Sequence, residues 1–258
     1  MDAHLTPSVY DDINHFLCYL KQMGATGVDI APSLLKRVEQ WGQKKHQKTQ
    51  FIKPSIRIPE TSVSEKKVET ESDPYDRMTA ILKTVKTCSK CSLHKTRKQI
   101  VFGAGDIRAR IVFVGEAPGY EEDQTGKPFV GAAGQLLTRI IHAMHLNRDM
   151  VYICNILKCR PPDNRTPNAE EIAQCFSYLE QQLDIIQPKI ICTMGSTASQ
   201  VLLKEKKSIS SLRGSFVMYK GIKVMPTFHP SYLLRNESKK KEVWKDMQMI
   251  MQEMQLMK

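Results

Sequence analysis

Four short apolar runs set the limits on what this chain can fold into. They are ARIVFVG (109–115), VYIC (151–154), PKIICTMG (188–195) and IKVMPTF (222–228). Each is short, and three are rich in β-branched residues, so all four read as buried strands. Helical patterns lie between them. In AGQLLTRIIHAMHL, Leu136, Leu137, Ile140, Ile141 and Met144 share one face, and 75–86 and 169–186 carry further helices. Strands alternating with helices predict an α/β fold, a central and mostly parallel sheet with helices on both faces. Ligands bind such sheets beyond the carboxyl ends of the strands. The loops after Val114, Cys154, Met194 and Phe228 are therefore where chemistry is expected.

The chain upstream of this pattern is different. In residues 1–43, Val9, Ile13, Phe16, Leu17 and Leu20 form a helical stripe, with a capping signature at Ser8 and Asp11 and a stop at Gly24. A small helical N-terminal element is expected there. Residues 44–73 turn polar and lose periodicity, which predicts a flexible linker. Residues 74–258 form the main domain. The 258 residues are 41% hydrophobic, enough for one substantial core plus an appendage.

Charge narrows the partners. The net charge of +11 points to a polyanion, nucleic acid before an acidic membrane surface. No run of 18 apolar residues occurs, so no membrane span is expected. The N-terminus lacks a basic region followed by an apolar stretch, which predicts a cytoplasmic protein. In a reducing compartment its 7 cysteines are not expected to form disulfides. Cys88 and Cys91 form a C-x-x-C after a helix, and Cys159 and Cys175 add two thiols. Four thiolates suit either tetrahedral zinc or an iron–sulfur cluster. Cys154 and Cys192 fall in predicted strands and read as buried structural residues; Cys18 has no partnering pattern.

The segment VGEAPGYEEDQTGKPFVGAAGQLL leaves a strand and enters a helix. It lacks both the Walker A ending and the dinucleotide-binding glycine spacing, so it is not a standard phosphate loop. Its glycines can let backbone approach a flat ligand, with Phe129 as a stacking surface.

These residues carry a resemblance. GEAPGYEEDQTGKPFVGAAGQLL, VYICNILKCRPPDNRTP and FHPSYLLR are similar, in order, to the three motif blocks of the family 4 uracil-DNA glycosylases, the iron–sulfur branch of the uracil-DNA glycosylase superfamily. The resemblance runs from about Tyr75 to about Arg235 and leaves residues 1–73 uncovered. It implies a three-layer α/β/α fold and one [4Fe–4S] cluster on Cys88, Cys91, Cys159 and Cys175, with a structural role. It implies a substrate of uracil-containing DNA, single- or double-stranded, whose target base is flipped into a pocket and hydrolysed from its sugar. His229 would donate to uracil O2 as charge develops. Asn155 would read the uracil edge and Phe129 would stack on the base, with Gly115 and Ala117 beside it. Many relatives in other families carry an Asp at the position of Ala117 to orient water. Glu116 is the first candidate for that task here, followed by Glu122 and Asp123. Gly119 lies where some relatives place a Tyr against uracil C5, so Glu122 is the candidate that excludes thymine. Ser231 and Arg235 would contact phosphates and Leu234 would wedge into the gap. Residues 204–258 hold 12 Lys+Arg against 5 Asp+Glu, so the positive charge is concentrated near this proposed DNA face.

Three readings compete. The first is a monomeric glycosylase, associated with DNA. The second is a non-catalytic iron–sulfur nucleic-acid-binding module of the same fold, docked to a protein partner through residues 1–43. The third is a zinc protein. The presence of both Asn155 and His229 favours the first.

Overall fold

The computed structural model describes residues 73–255. The expected helical element at 1–43 and almost all of the linker at 44–73 lie outside the described residues.

Helix α1 (Pro74–Lys86) starts at Asp73, whose carboxylate caps the backbone N–H of Tyr75, with Pro74 in the first turn. The chain then runs through β1 (Ala104–Gly105), β2 (Ile111–Gly115), α2 (Tyr120–Thr125), α3 (Ala132–Ala143) and β3 (Tyr152–Asn155). Next come α4 (Ala169–Ile186), β4 (Ile190–Met194), α5 (Ser196–Leu203) and the short α6 (Ile209–Leu212). The hairpin β5 (Val217–Tyr219) and β6 (Ile222–Thr227) leads into α7 (Pro230–Arg235) and α8 (Lys240–Glu253).

The sheet has six strands in the order β1-β3-β2-β4-β6-β5. The four central strands are the four apolar runs, and they are parallel to one another. Both edge strands, β1 and β5, pair antiparallel and were not expected. A two-residue strand leaves almost no periodic signal, so β1 was invisible. The β5–β6 hairpin had a signal: Lys220 and Gly221 form its two-residue turn with φ of 46° and 82°. Two successive left-handed residues match the right-handed twist of paired strands.

Period-two alternation divides the central strands between two cores. Val112 and Val114 face the layer that holds α1 and α4, while Ile111 and Phe113 face the layer that holds α3 and α8. This is the expected three-layer α/β/α architecture. Cys154 and Cys192 are buried on opposite faces, and burial pushes both thiols up. The second layer is fastened by a buried network. Arg213 bonds both carboxylate oxygens of Asp246 at 3.1 and 2.7 Å, and Thr227 donates to the same carboxylate at 2.6 Å. This fixes α8 against the end of β6, two residues before His229. Among the described residues no helix is long and apolar enough to cross a membrane.

Candidate active site and thiol cluster

The carboxyl ends of β2, β3, β4 and β6 open into one cavity of about 700 Å³. Gly115, Asn155, Met194 and Thr227 are the last residues of those strands. The parallel register sets Gly115 opposite Asn155. It continues past the strands, with Ile156 donating to the Gly115 carbonyl at 2.9 Å and Leu157 to that of Glu116 at 3.0 Å. Asn155 is only 1% exposed, and its Oδ1 is buried with no hydrogen-bond partner among the described residues. A side chain at Gly115 would collide with it: a Cβ there would lie 2.4 Å from Asn155 Oδ1 and 2.5 Å from the tip of the Phe129 ring. Glycine is therefore required at 115 to let the amide and the ring approach each other.

Phe129 is buried and holds a left-handed backbone, φ 53°, which is strained for a residue with a side chain. Three contacts impose it. Glu122 Oε1 accepts from the backbone N–H groups of Val130 and Gly131 at 2.8 and 3.0 Å. Arg148 donates to the carbonyls of Pro128 and Phe129 at 2.7 and 3.1 Å. Gly134 leaves room for the Phe129 carbonyl, which a Cβ would meet at 1.9 Å. Arg148 carries no motif or spacing signal, because its role depends on a loop shape that only the fold creates.

His229 caps helix α7. Its Nδ1 accepts from the backbone N–H of Ser231 at 3.1 Å and lies 2.8 Å from the Ser231 hydroxyl. An Nδ1 that accepts leaves the proton on Nε2, so the ring is a neutral donor. Burial pushes its pKa from 6.5 down to about 4, with Glu122 opposing and Arg235 adding to the shift. The ring centroid stands 5.7 Å from that of Phe129. Gly195, with φ 91°, gives His229 its space, since a Cβ there would come within 3.1 Å of His229 Cβ.

The expected site residues separate into groups. Gly115, Asn155, Phe129 and His229 adjoin one another, and Glu116, Ala117, Glu122, Ser231 and Arg235 line the same cavity. Glu122 Oε2 also accepts from Gly119 at 3.1 Å, so its carboxylate is committed to three backbone donors. That makes it a loop anchor before it is a base. Asp123 is 2% exposed, accepts from the backbone of Lys98 and Gln99, and is not part of the cavity wall; it is removed from the candidates for orienting water. Glu116 lines the cavity, and its carboxylate makes no hydrogen bond or ion pair among the described residues. Ser231 spends its hydroxyl on His229. Leu234 lies outside the cavity wall at 42% exposure on α7.

The four expected thiols gather elsewhere, at the end of α1 and the start of α4. Cys88, Cys91, Cys159 and Cys175 line one small cavity. Arg97 donates to Cys159 Sγ at 3.2 Å and the backbone N–H of Lys158 to Cys175 Sγ at 3.3 Å. Burial pushes the Cys159 thiol up and the Cys175 thiol to about 11, while Arg97 and Lys158 pull in the other direction. Among the described residues no three His, Cys, Asp or Glu side chains are grouped to hold a metal ion directly. The four cysteines share one small space, and four thiolates suit either tetrahedral zinc or an iron–sulfur cluster.

Lys158 joins the two regions. It is fully buried, and its Nζ donates to the Asn155 carbonyl at 2.9 Å and to Gln182 Oε1 at 2.6 Å. Gln182 in turn donates to the Phe102 carbonyl and the Tyr152 hydroxyl. Strand β3 is thus held from behind where Asn155 leaves it.

Known proteins are similar to this chain in sequence. The family model of the Uracil DNA glycosylase superfamily matches residues 102–248. A type-4 uracil-DNA glycosylase of Thermotoga maritima is 51% identical over 163 residues, covering 62% of this chain and 85% of that protein. The type-4 enzyme of Archaeoglobus fulgidus is 42% identical over 178 residues, covering 66% of this chain and 89% of that protein. A type-5 uracil-DNA glycosylase of Pyrobaculum aerophilum is 33% identical over 146 residues, covering 50% of this chain and 64% of that protein. With all three motif blocks inside the matched region and the type-4 relatives covered over most of their length, the chain belongs to the uracil DNA glycosylase superfamily and to its type-4 family.

Proposed function

We propose that the chain removes uracil from DNA by hydrolysing the N-glycosidic bond, leaving an abasic site. The observation that carries this reading is the buried Oδ1 of Asn155, an acceptor with no donor among the described residues, set beside Gly115 and the Phe129 ring at the end of the sheet. An orphaned buried acceptor costs about 1–3 kcal/mol. Uracil N3–H supplies the missing donor. Cytosine carries a lone pair at N3, so the same approach would oppose two acceptors.

The remaining groups take roles around that pair. Phe129 stacks on the base. As the C1′–N1 bond breaks, its electron pair moves onto uracil, and Nε2–H of neutral His229 donates to O2 where that charge accumulates. The sugar becomes cationic and water adds its oxygen to C1′. Glu116 orients that water and takes its proton, which later returns to the uracil anion or to solvent. Arg235 meets a phosphate and Leu234 wedges into the vacated stack. Ser231 acts chiefly by fixing the tautomer of His229.

Cys88, Cys91, Cys159 and Cys175 would hold a [4Fe–4S] cluster. Bound there, the cluster supplies cross-links rather than electrons, because this hydrolysis transfers none. It would tie the end of α1 to the segment after β3 and to α4. Cys159→Ala is expected to lose most of its iron and to become poorly soluble, while Cys154→Ala keeps its iron. Iron content by a colorimetric chelator checks both, and equal iron in the two variants would remove the assignment.

The reading is tested by incubating the full chain with single- and double-stranded oligonucleotides that carry one uracil, followed by alkali. Strand breaks at uracil are expected. Binding without breaks would support the non-catalytic module instead.

A further inference from the structure

Five large apolar or aromatic side chains are conspicuously exposed among the described residues: Tyr120, Met150, Met218, Leu234 and Trp244. Leu234 and Tyr120 belong to segments that line the active cavity, and Leu234 already has a task. Tyr120 opens helix α2 directly after Gly119, a cavity residue, and is 56% exposed. Its ring carries the Arg160 guanidinium 5.2 Å from its centroid. Arg160 precedes Pro161, also in the cavity wall, and its Nε donates to Asn164 Oδ1 at 2.8 Å. No carboxylate pairs with Arg160 among the described residues.

The segment behind the pair is built to hold a shape. Asp163 and Asn164 are successive left-handed residues, with φ of 53° and 54°. Asn and Asp adopt this conformation more readily than other residues with a side chain. The turn is closed by the backbone N–H groups of Asn164 and Arg165, which donate to the Pro161 and Pro162 carbonyls at 3.2 and 3.1 Å. Just beyond it Arg165 bonds both oxygens of Glu171 at 2.9 and 2.6 Å, and that carboxylate also accepts from the backbone N–H of Asn168 at 2.9 Å. The turn brings Arg160 to Tyr120 beside the cavity.

We propose that Tyr120, backed by Arg160, is a stacking platform for an unpaired base beside the flipped nucleotide. This deepens the glycosylase reading by naming how the neighbouring strand is held. One face of the ring is covered by the guanidinium and the residue is more than half exposed, the geometry of a one-sided stack. A base already paired in a duplex is less able to reach it, so the effect belongs mainly to single strands.

The test measures affinity by fluorescence anisotropy for single strands of identical sequence, with uracil or without it. Tyr120→Ala is expected to weaken single-strand binding about tenfold and duplex binding less. Tyr120→Phe is expected to bind as the wild type does. Replacing the base on one side of uracil with an abasic spacer should cost the wild type a similar factor and cost Tyr120→Ala almost nothing further. Wild-type affinity in Tyr120→Ala, or a spacer penalty that adds in full to the mutation, would overturn the platform. If the wild type shows the spacer effect but never releases uracil, the glycosylase reading fails and the platform stands.

Discussion

His229→Ala is expected to slow base release by about 10²–10³-fold while changing DNA affinity little. The reason is where the donor acts. In the proposed mechanism Nε2–H would meet uracil O2 most strongly when the departing base is an anion, so its removal would raise the barrier more than it weakens the bound state. The Nδ1 contact with the Ser231 backbone N–H and the downward shift of the ring to about 4 both favour the neutral form. A single-turnover rate that holds steady from pH 8 to about pH 5 is therefore expected from this group, with loss as pH approaches 4. Stability moves in the same window. The unfolded imidazole binds its proton near pH 6.5 and the buried one only near 4, so the unfolded chain holds more protons between these values. This contribution to stability is complete above about pH 6.5 and is lost as pH falls towards 4; His229→Ala should flatten that part of the profile. An unchanged single-turnover rate in the variant would take His229 out of the mechanism.

Asn155→Asp should be nearly as damaging, by about 10²-fold or more on uracil, because the pocket would then leave buried polar groups mispaired. The substitution preserves shape and changes only the hydrogen-bond pattern. An ionised Asp accepts at both oxygens, so it still suits N3–H but repels uracil O4. It brings an uncompensated charge into a site where Asn155 is 1% exposed. If it is protonated instead, the carboxyl can donate to cytosine N3, and weak cytosine release becomes measurable. Asn155→Ala loses the contact without gaining cytosine. Uracil removal at the wild-type rate by Asn155→Asp would mean that Asn155 is a strand-end residue and nothing more.

Much of the fold was legible because burial of the central strands leaves continuous apolar runs. The edge strands were not: β1 is two residues long, and Lys220–Gly221 is a weaker turn signal than Asn-Gly or Asp-Gly. The motif residues were legible as types at positions, and strand-end placement put Gly115 and Asn155 side by side. What the sequence could not yield were groups whose partners come from distant segments. Arg148 reaches the Pro128 and Phe129 carbonyls, and Lys158 reaches Gln182 on another element. Glu122 was legible as a cavity residue, yet its three backbone donors emerge only when the loop closes around it. Asp123, its neighbour in sequence, turns the other way and is buried against Lys98 and Gln99.

The most direct measurement compares single-turnover base release from three strands that differ at one position, carrying uracil, cytosine or thymine. A pocket whose buried acceptor is matched by N3–H should release uracil and reject cytosine by about 10⁴-fold or more. Thymine presents the same N3–H, so on this proposal it would be refused at its methyl group, for which Glu122 in the cavity wall is the candidate. Release of uracil alone is the predicted result. Comparable release of cytosine, or no release of uracil from a fully iron-loaded chain, would contradict it.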